Sequence, residues 1–353
     1  MPALSLYLIG APLSGKTTVF DALVQTPEGP HFTTKGAHRL GTVKVPDARL
    51  AALRDLFQPK KYIPAEITFV DVAMPAGEAK GFAQLNAFLG EADAFAVVVQ
   101  AFGETDASGK PLDPPAQLDS LLMDLAMADL EKIERRTEKI RQEVKRGLKQ
   151  GLPELAALER CQAAIESGAS LREVELSADE EKLLASFCFL SRKSLMIVAN
   201  IAEGATEPPP ALAAACAEKK LPLLAFCAPL ETEIASLPPA DQAAFLADYG
   251  LAEPARIRLI QTAYATLSLV SFFTVGPDEV RAWTIHAGDT AIVAAGKIHS
   301  DFARGFIRAE TVPAATLLEK KTYAACREAG LLRLEGKTYV VQDGDILEIR
   351  ANA

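Results

Sequence analysis

An α/β fold interrupted by helices and followed by a small α+β unit is what the sequence predicts, on three observations. Short apolar runs at 4–9, 67–70, 95–99, 195–199 and 223–226 alternate with helical stretches, the pattern of buried parallel strands joined by crossover helices. Between residues 118 and 186 every strong signal is helical instead. From residue 271 onward, strand-like runs return with Gly/Asp turns between them.

At 353 residues the chain exceeds the usual size of one compact domain, so two or three units are expected. Hydrophobic residues at 49% and charged residues at 24% are ordinary globular values and exclude bulk disorder. A net charge of -9 excludes a wholly basic nucleic-acid sleeve, though not a local basic patch, and no DNA partner is expected. The apolar runs fall short of a membrane span, and the apolar start has no basic flank, so neither a membrane partner nor a signal peptide is expected. Five scattered cysteines without a C-x-x-C pair read as reduced thiols of a cytoplasmic protein. The four histidines have no zinc-ligand spacing.

The first apolar run feeds Gly10-Ala11-Pro12-Leu13-Ser14-Gly15-Lys16-Thr17, a G-x-x-x-x-G-K-T sequence that opens a helix to about Leu23. Glycines at Gly10 and Gly15 let the backbone wrap phosphates, and N–H groups from Leu13 and Ser14 through Thr17 and Thr18 are expected to point inward at a helix N-terminus. Lys16 would reach the β- and γ-phosphates, and the Thr17 hydroxyl would bind Mg²⁺. Asp71 ends the next apolar run and reads as the second metal anchor, through a water, or as a carboxylate capping the following turn. Switch-type nucleotidases continue such an Asp as D-x-x-G, whereas the run here is Asp71-Val72-Ala73-Met74. Asn200-Ile201-Ala202-Glu203 follows another apolar run, where guanine-specific P-loop proteins carry N-K-x-D. Ile201 for Lys and Glu203 for Asp should spoil a guanine fit; a plain surface acid is the alternative for Glu203.

In the helical stretch, Ala126, Leu130, Ile133, Thr137, Ile140 and Val144 recur in alternating steps of four and three, a heptad-like seam. Ser177-Ala178-Asp179-Glu180 is a capping box that should start a helix running through Phe187. An inserted, partly coiled-coil hairpin over 118–186 is expected, the alternative being helices that simply cover the sheet. Residues 132–149 hold eight basic residues against three acids, a ridge suited to rRNA phosphates or a solvated face with pairs such as Glu131–Arg135. The last region should contain strands at 272–275, 280–285, 306–309, 338–341 and 346–350, with a short helix at 290–295. The expected units are therefore 1–117 with 187–270, 118–186, and 271–353.

Taken together, these residues resemble the YchF group of Obg-related translation-factor ATPases over essentially the whole chain. The most specific stretches run from His299-Ser300-Asp301-Phe302 to Ala309-Glu310 and from Arg333-Leu334-Glu335-Gly336 to Gly344-Asp345, and both look like that family's β-grasp TGS domain. Val280-Arg281-Ala282-Trp283, Leu125-Ala126-Met127-Ala128-Asp129, Val45-Pro46-Asp47-Ala48-Arg49 and Pro59-Lys60-Lys61 are similar to further family segments. The resemblance implies a cytoplasmic, Mg²⁺-dependent nucleotide hydrolase that prefers ATP over GTP and associates with ribosomes through its helical insertion and TGS domain. On it, Asn200, Ile201 and Glu203 hold adenine, Cys227 and Ala228 close the base pocket, and a first-switch threonine such as Thr34 reaches the metal. Where the family places a histidine before S-G-K, a candidate for positioning water, Asp106 stands before Ser108-Gly109-Lys110, leaving Asp106 and Lys16 as catalytic candidates. The altered switch runs through Met74-Pro75-Ala76 and Gly77 to Phe82, and Met74, Pro75 and Asp106 motivate a competing reading: a nucleotide-binding ribosome or RNA adaptor with little hydrolysis. A small-molecule kinase would share only the loop.

Overall fold

The computed structural model describes residues 4–26, 29–73, 82 and 85–352. The segment Met74 to Gly81, on which the switch departures fall, lies outside the described residues. Contacts divide the chain into two units: Ser5–Gly41 with Phe69–Arg258, and Met1–Leu4 with Thr42–Thr68 and Leu259–Ala353.

Fifteen strands are described: β1 Ser5–Gly10, β2 Gln25–Thr26, β3 Gly29–Pro30, β4 Thr33–Lys35, β5 His38–Lys44, β6 Lys61–Ile63, β7 Glu66–Asp71, β8 Ala94–Ala101, β9 Ser194–Ile201, β10 Leu223–Phe226, β11 Leu269–Val275, β12 Glu279–His286, β13 Phe306–Pro313, β14 Arg333–Glu335 and β15 Asp345–Ala351. Seven form a sheet in the order β10-β9-β8-β1-β7-β5-β4. β1, β8, β9 and β10 are parallel, with Gly10 opposite Val98 and Asn200 opposite both Gln100 and Phe226. The middles of these strands are apolar because both faces are covered: Leu6, Leu8, Ile9, Val97, Val98, Ile197 and Val198 are fully buried. The chain leaves β1 toward β7 on one side and returns as β8 on the other. Such a reversal opens a crevice at the carboxyl ends of the strands.

The 118–186 stretch is helical. A long helix, Pro114–Lys145, starts with Asp113 accepting from the Ala116 N–H at 3.0 Å and with prolines in its first turn. Its first half, Leu118, Leu121, Leu125 and Ala128, packs in the core of β8 and β9. Its second half, Ile133 and Ile140 with Leu130 and Val144 beside them, packs on Leu158, Cys161 and Ile165 of the helix Leu152–Glu166. The two halves of one helix thus pack differently, the first on the sheet and the second on the helix Leu152–Glu166. The capping box at Ser177 starts the helix Ala178–Leu184, which is followed by a 3-10 turn, Ala185–Phe187.

In the smaller unit, a six-stranded sheet runs β14-β13-β15-β11-β12-β6. β11 and β12 form an antiparallel hairpin, and β13 lies antiparallel to β15. Phe272, Ile285, Ala294, Ala309 and Leu347 make its core with the helix Ala291–Ile298. Two features differ from expectation. Residues 338–341 form no strand: Tyr339 O accepts from the Ala291 N–H and Lys337 O from the Ile292 N–H, so this segment satisfies the exposed amides of a helix N-terminus rather than joining the ladder. The strand lies earlier, at β14. Residues 42–68, expected in the nucleotide-binding unit, cluster with the C-terminal one, because β6 pairs in parallel with β12.

Candidate functional site

β1 ends in Gly10, and the loop that follows turns directly into helix α1, Lys16–Val24. Positive φ at Leu13 (60°) and Gly15 (80°) makes the turn, and only the glycine adopts it without cost. Gly10 is close-packed as well, since a Cβ there would stand 2.6 Å from Val98 O. No side chain caps the N-terminus of α1, so its first amides are free for an anion. The Ser14 hydroxyl is buried without a partner, an orphan polar atom facing inside the loop. Leu13, Thr17 and Thr18 are exposed.

Asp71, at the end of β7, is the centre of the charged cluster. Lys16 Nζ donates to Asp71 Oδ1 and, at 2.6 Å, to the Val72 carbonyl oxygen. Thr17 Oγ1 donates to Asp71 Oδ2 at 3.1 Å. Arg39 of β5 donates to the same Oδ2 from Nε at 3.1 Å and from Nη2 at 2.7 Å. Its Nη1 reaches Asp21 Oδ1 at 2.8 Å, and its guanidinium lies over the rings of Phe20 and Phe32. Burial pushes the Asp71 carboxyl up, but the bonds and charges of Lys16 and Arg39 outweigh it and hold the pKa below its usual value.

Sequence reasoning missed Arg39 and its neighbour His38. His38 Nδ1 accepts from the Ala73 N–H at 3.0 Å, and its ring stacks on Phe88 at 3.9 Å. Burial and the Lys16 charge lower its pKa, in keeping with an unprotonated acceptor nitrogen. Thr34, expected at the metal, lies exposed on β4 opposite Arg39 in the ladder; Arg39, not Thr34, is the residue of this hairpin that reaches Asp71. A basic residue one strand from a buried carboxylate was the available signal.

On the other side of the loop, buried Asn200 donates from Nδ2 to Ser14 O at 3.1 Å and accepts from the Ala228 N–H at 3.4 Å. Its amide braces the phosphate loop against the turn that starts the helix Ala228–Ser236. Cys227 and Ala228 are buried beside it, as is Ile201, whereas Glu203 is exposed. Ile201, Gly204, Thr206, Cys227 and Leu230 line a cleft of about 70 Å³.

Asp106 belongs to a hairpin turn. Its Oδ1 accepts from Ser108 N (2.8 Å), Ser108 Oγ (2.7 Å) and Lys110 N (3.0 Å). The Ser108 hydroxyl, then the Lys110 amide, lowers its pKa, so Asp106 is a turn-former and a weak base. It does share a cavity of about 820 Å³ with Gly10, Ala11 and Pro12, which places it on the phosphate-loop side.

Free helix amides, an orphan hydroxyl and an adjacent lysine suit phosphate, and the Thr17 hydroxyl with Asp71 offers the hard oxygen donors that Mg²⁺ takes. No cluster of three or more His, Cys, Asp or Glu that could hold a metal occurs among the described residues. No helix among them is long and apolar enough to cross a membrane.

Comparison with known proteins places the chain among relatives along its whole length. Residues 269–352 match a family model, YchF-GTPase_C, described as a protein of unknown function (DUF933). The "Ribosome-binding ATPase YchF" of Haemophilus influenzae is 37% identical over 359 residues, covering 98% of each chain. That of Bacillus subtilis is 37% identical over 367 residues, covering 99% of this chain and all of its own. Among solved structures, the Schizosaccharomyces pombe YchF GTPase aligns with a TM-score of 0.85 at 26% identity, covering 99% of both chains.

Proposed function

The chain belongs to the YchF family, and from that footing we propose that it is a Mg²⁺-dependent, ATP-binding and ATP-hydrolysing factor that acts on the ribosome in the cytoplasm. The observation that carries the nucleotide part is the convergence of Lys16, Thr17 and Asp71 at the carboxyl ends of β1 and β7, beside an uncapped helix N-terminus. Gly10, Leu13, Ser14, Gly15, Lys16, Thr17 and Thr18 would cradle the phosphates. Thr17 directly, and Asp71 through water, would hold the metal, which when bound neutralises charge on the β- and γ-phosphates.

Asn200 spends its carbonyl and one N–H on the loop and the Ala228 amide and keeps a second N–H for a base, with the Ile201 and Glu203 positions and the Cys227–Ala228 turn beside it. Ile201 in place of a lysine supports ATP over GTP. The relatives' names differ on this, ATPase for the bacterial ones and GTPase for the fission-yeast structure. Titration calorimetry with ATP and GTP, with Mg²⁺ or with chelator, decides it: a clear GTP preference overturns the base assignment.

For the ribosome, the relatives' name, the basic stretch at 132–149 and the 269–352 match support contact through a helical insertion (118–186) and a TGS β-grasp domain (271–353), with 1–117 and 187–270 binding nucleotide. Co-sedimentation with ribosomes tests it. One observation favours a second reading, an adaptor with little hydrolysis: Asp106 is committed to its turn and poorly basic. Single-turnover hydrolysis stimulated by ribosomes overturns the adaptor.

A further inference from the structure

Asp71 Oδ2 is the oxygen that, with the Thr17 hydroxyl 3.1 Å away, offers a divalent cation its protein donors, and it carries two hydrogen bonds from Arg39. A cation or its bound water drawn to that oxygen meets the guanidinium, and like charges that close repel. Phosphates can draw Lys16 off Oδ1, because the loop directs it to them. Arg39 stays beside the loop, where Nη2 also lies 3.4 Å from the Thr17 carbonyl oxygen. Arg39 has a second seat, though: Nη1 is already on Asp21, and its face rests on Phe20 and Phe32. It can give up Asp71 without becoming an unpaired charge.

We propose that Arg39 competes with the divalent cation for Asp71 Oδ2, so that binding of the metal–nucleotide requires Arg39 to withdraw to Asp21. The proposal rests on the P-loop reading above. Arg39 is then a positioning residue that tunes the metal dependence of nucleotide affinity. Loss of one charge-assisted contact sets the size of the effect, about tenfold.

The test is equilibrium binding of a fluorescent ATP analogue in Mg²⁺ and in EDTA to the full chain and to R39A, R39Q and D21N. In R39A the Kd in Mg²⁺ falls about tenfold while the Kd in EDTA does not fall. R39Q, which keeps a planar donor without the charge, shifts in the same direction by less. D21N strips the second seat of its charge, leaving Arg39 only a neutral acceptor there, and so favours Arg39 on Asp71 and weakens binding in Mg²⁺ alone. The opposite signs separate competition from general loosening of the site, and R39Q and D21N carry the test if R39A does not fold. Unchanged or weaker Mg²⁺-dependent binding in R39A, or equal tightening with and without metal, overturns the proposal and leaves the P-loop reading intact. Failure of the unaltered chain to bind either ATP or GTP overturns that reading itself.

Discussion

Gly15 and Asn200 are fitted to each other: a Cβ at Gly15, whose φ is +80°, would stand 2.1 Å from Asn200 Nδ2. The same nitrogen donates to the carbonyl of Ser14, so the strand that carries Asn200 holds the phosphate loop in shape. Gly15→Ala should displace Asn200 and strain the backbone at a cost of about 1–3 kcal/mol. Nucleotide affinity should fall with it. Asn200→Ala spares the backbone and leaves the Ala228 N–H unsatisfied, about 1 kcal/mol. Urea unfolding with calorimetry on both variants checks the order; equal stability of Gly15→Ala and the unaltered protein contradicts it.

Much of this site was legible because its parts are local. The loop sits between the apolar run at 4–9 and a helix, and Asp71 ends an apolar strand, so short-range pattern placed both. Arg39 was not legible. The run His38-Arg39-Leu40-Gly41-Thr42-Val43-Lys44 has no clean alternation, and only the pairing of β5 within the sheet brings Arg39 to a carboxylate 32 residues away. Three-residue β6 was too short to read, and its partner β12 is far along the chain. Thr338-Tyr339-Val340-Val341 reads as a strand for the opposite reason: its strong strand propensity is overridden where the Tyr339 carbonyl, beside that of Lys337, meets an uncapped helix end.

Asp129 is fully buried on the long helix and accepts from Leu190 N at 2.9 Å, Ser191 N at 2.7 Å and Ser191 Oγ at 2.7 Å. It ties that helix to the segment leading into β9. Asp129→Ala strands three buried donors and should cost about 3 kcal/mol, seen as a lower urea midpoint. Asp129→Asn, which keeps one acceptor oxygen, should cost less.

Glu180 closes the capping box on Ser177 and pairs with Arg160 at 3.0 Å. Arg160 first, then the Ser177 backbone, lowers its pKa to about 2. A depressed folded-state pKa means that the contribution is fully present above the unfolded value of about 4.3 and is lost as pH falls toward the folded one. Stability of the unaltered protein should therefore drop more steeply than that of Glu180→Gln between about pH 4.3 and pH 2. Parallel profiles over that window would refute the pairing.

Lys16→Ala and Asp71→Ala should part company, because the cluster holds two cations on one carboxylate. Removing Lys16 leaves Asp71 compensated by Arg39, so the fold should lose only about 1 kcal/mol. Phosphate binding, which needs the lysine itself, should fall by about a hundredfold in a calorimetric titration. Removing Asp71 leaves Lys16 without its counter-ion and Arg39 with Asp21 alone, in a setting where the carboxylate was only 7% exposed. That should cost about 3–5 kcal/mol, the penalty of a broken buried pair. Thermal unfolding of the two variants decides it: Lys16→Ala as unstable as Asp71→Ala would mean that Arg39 alone does not neutralise the carboxylate.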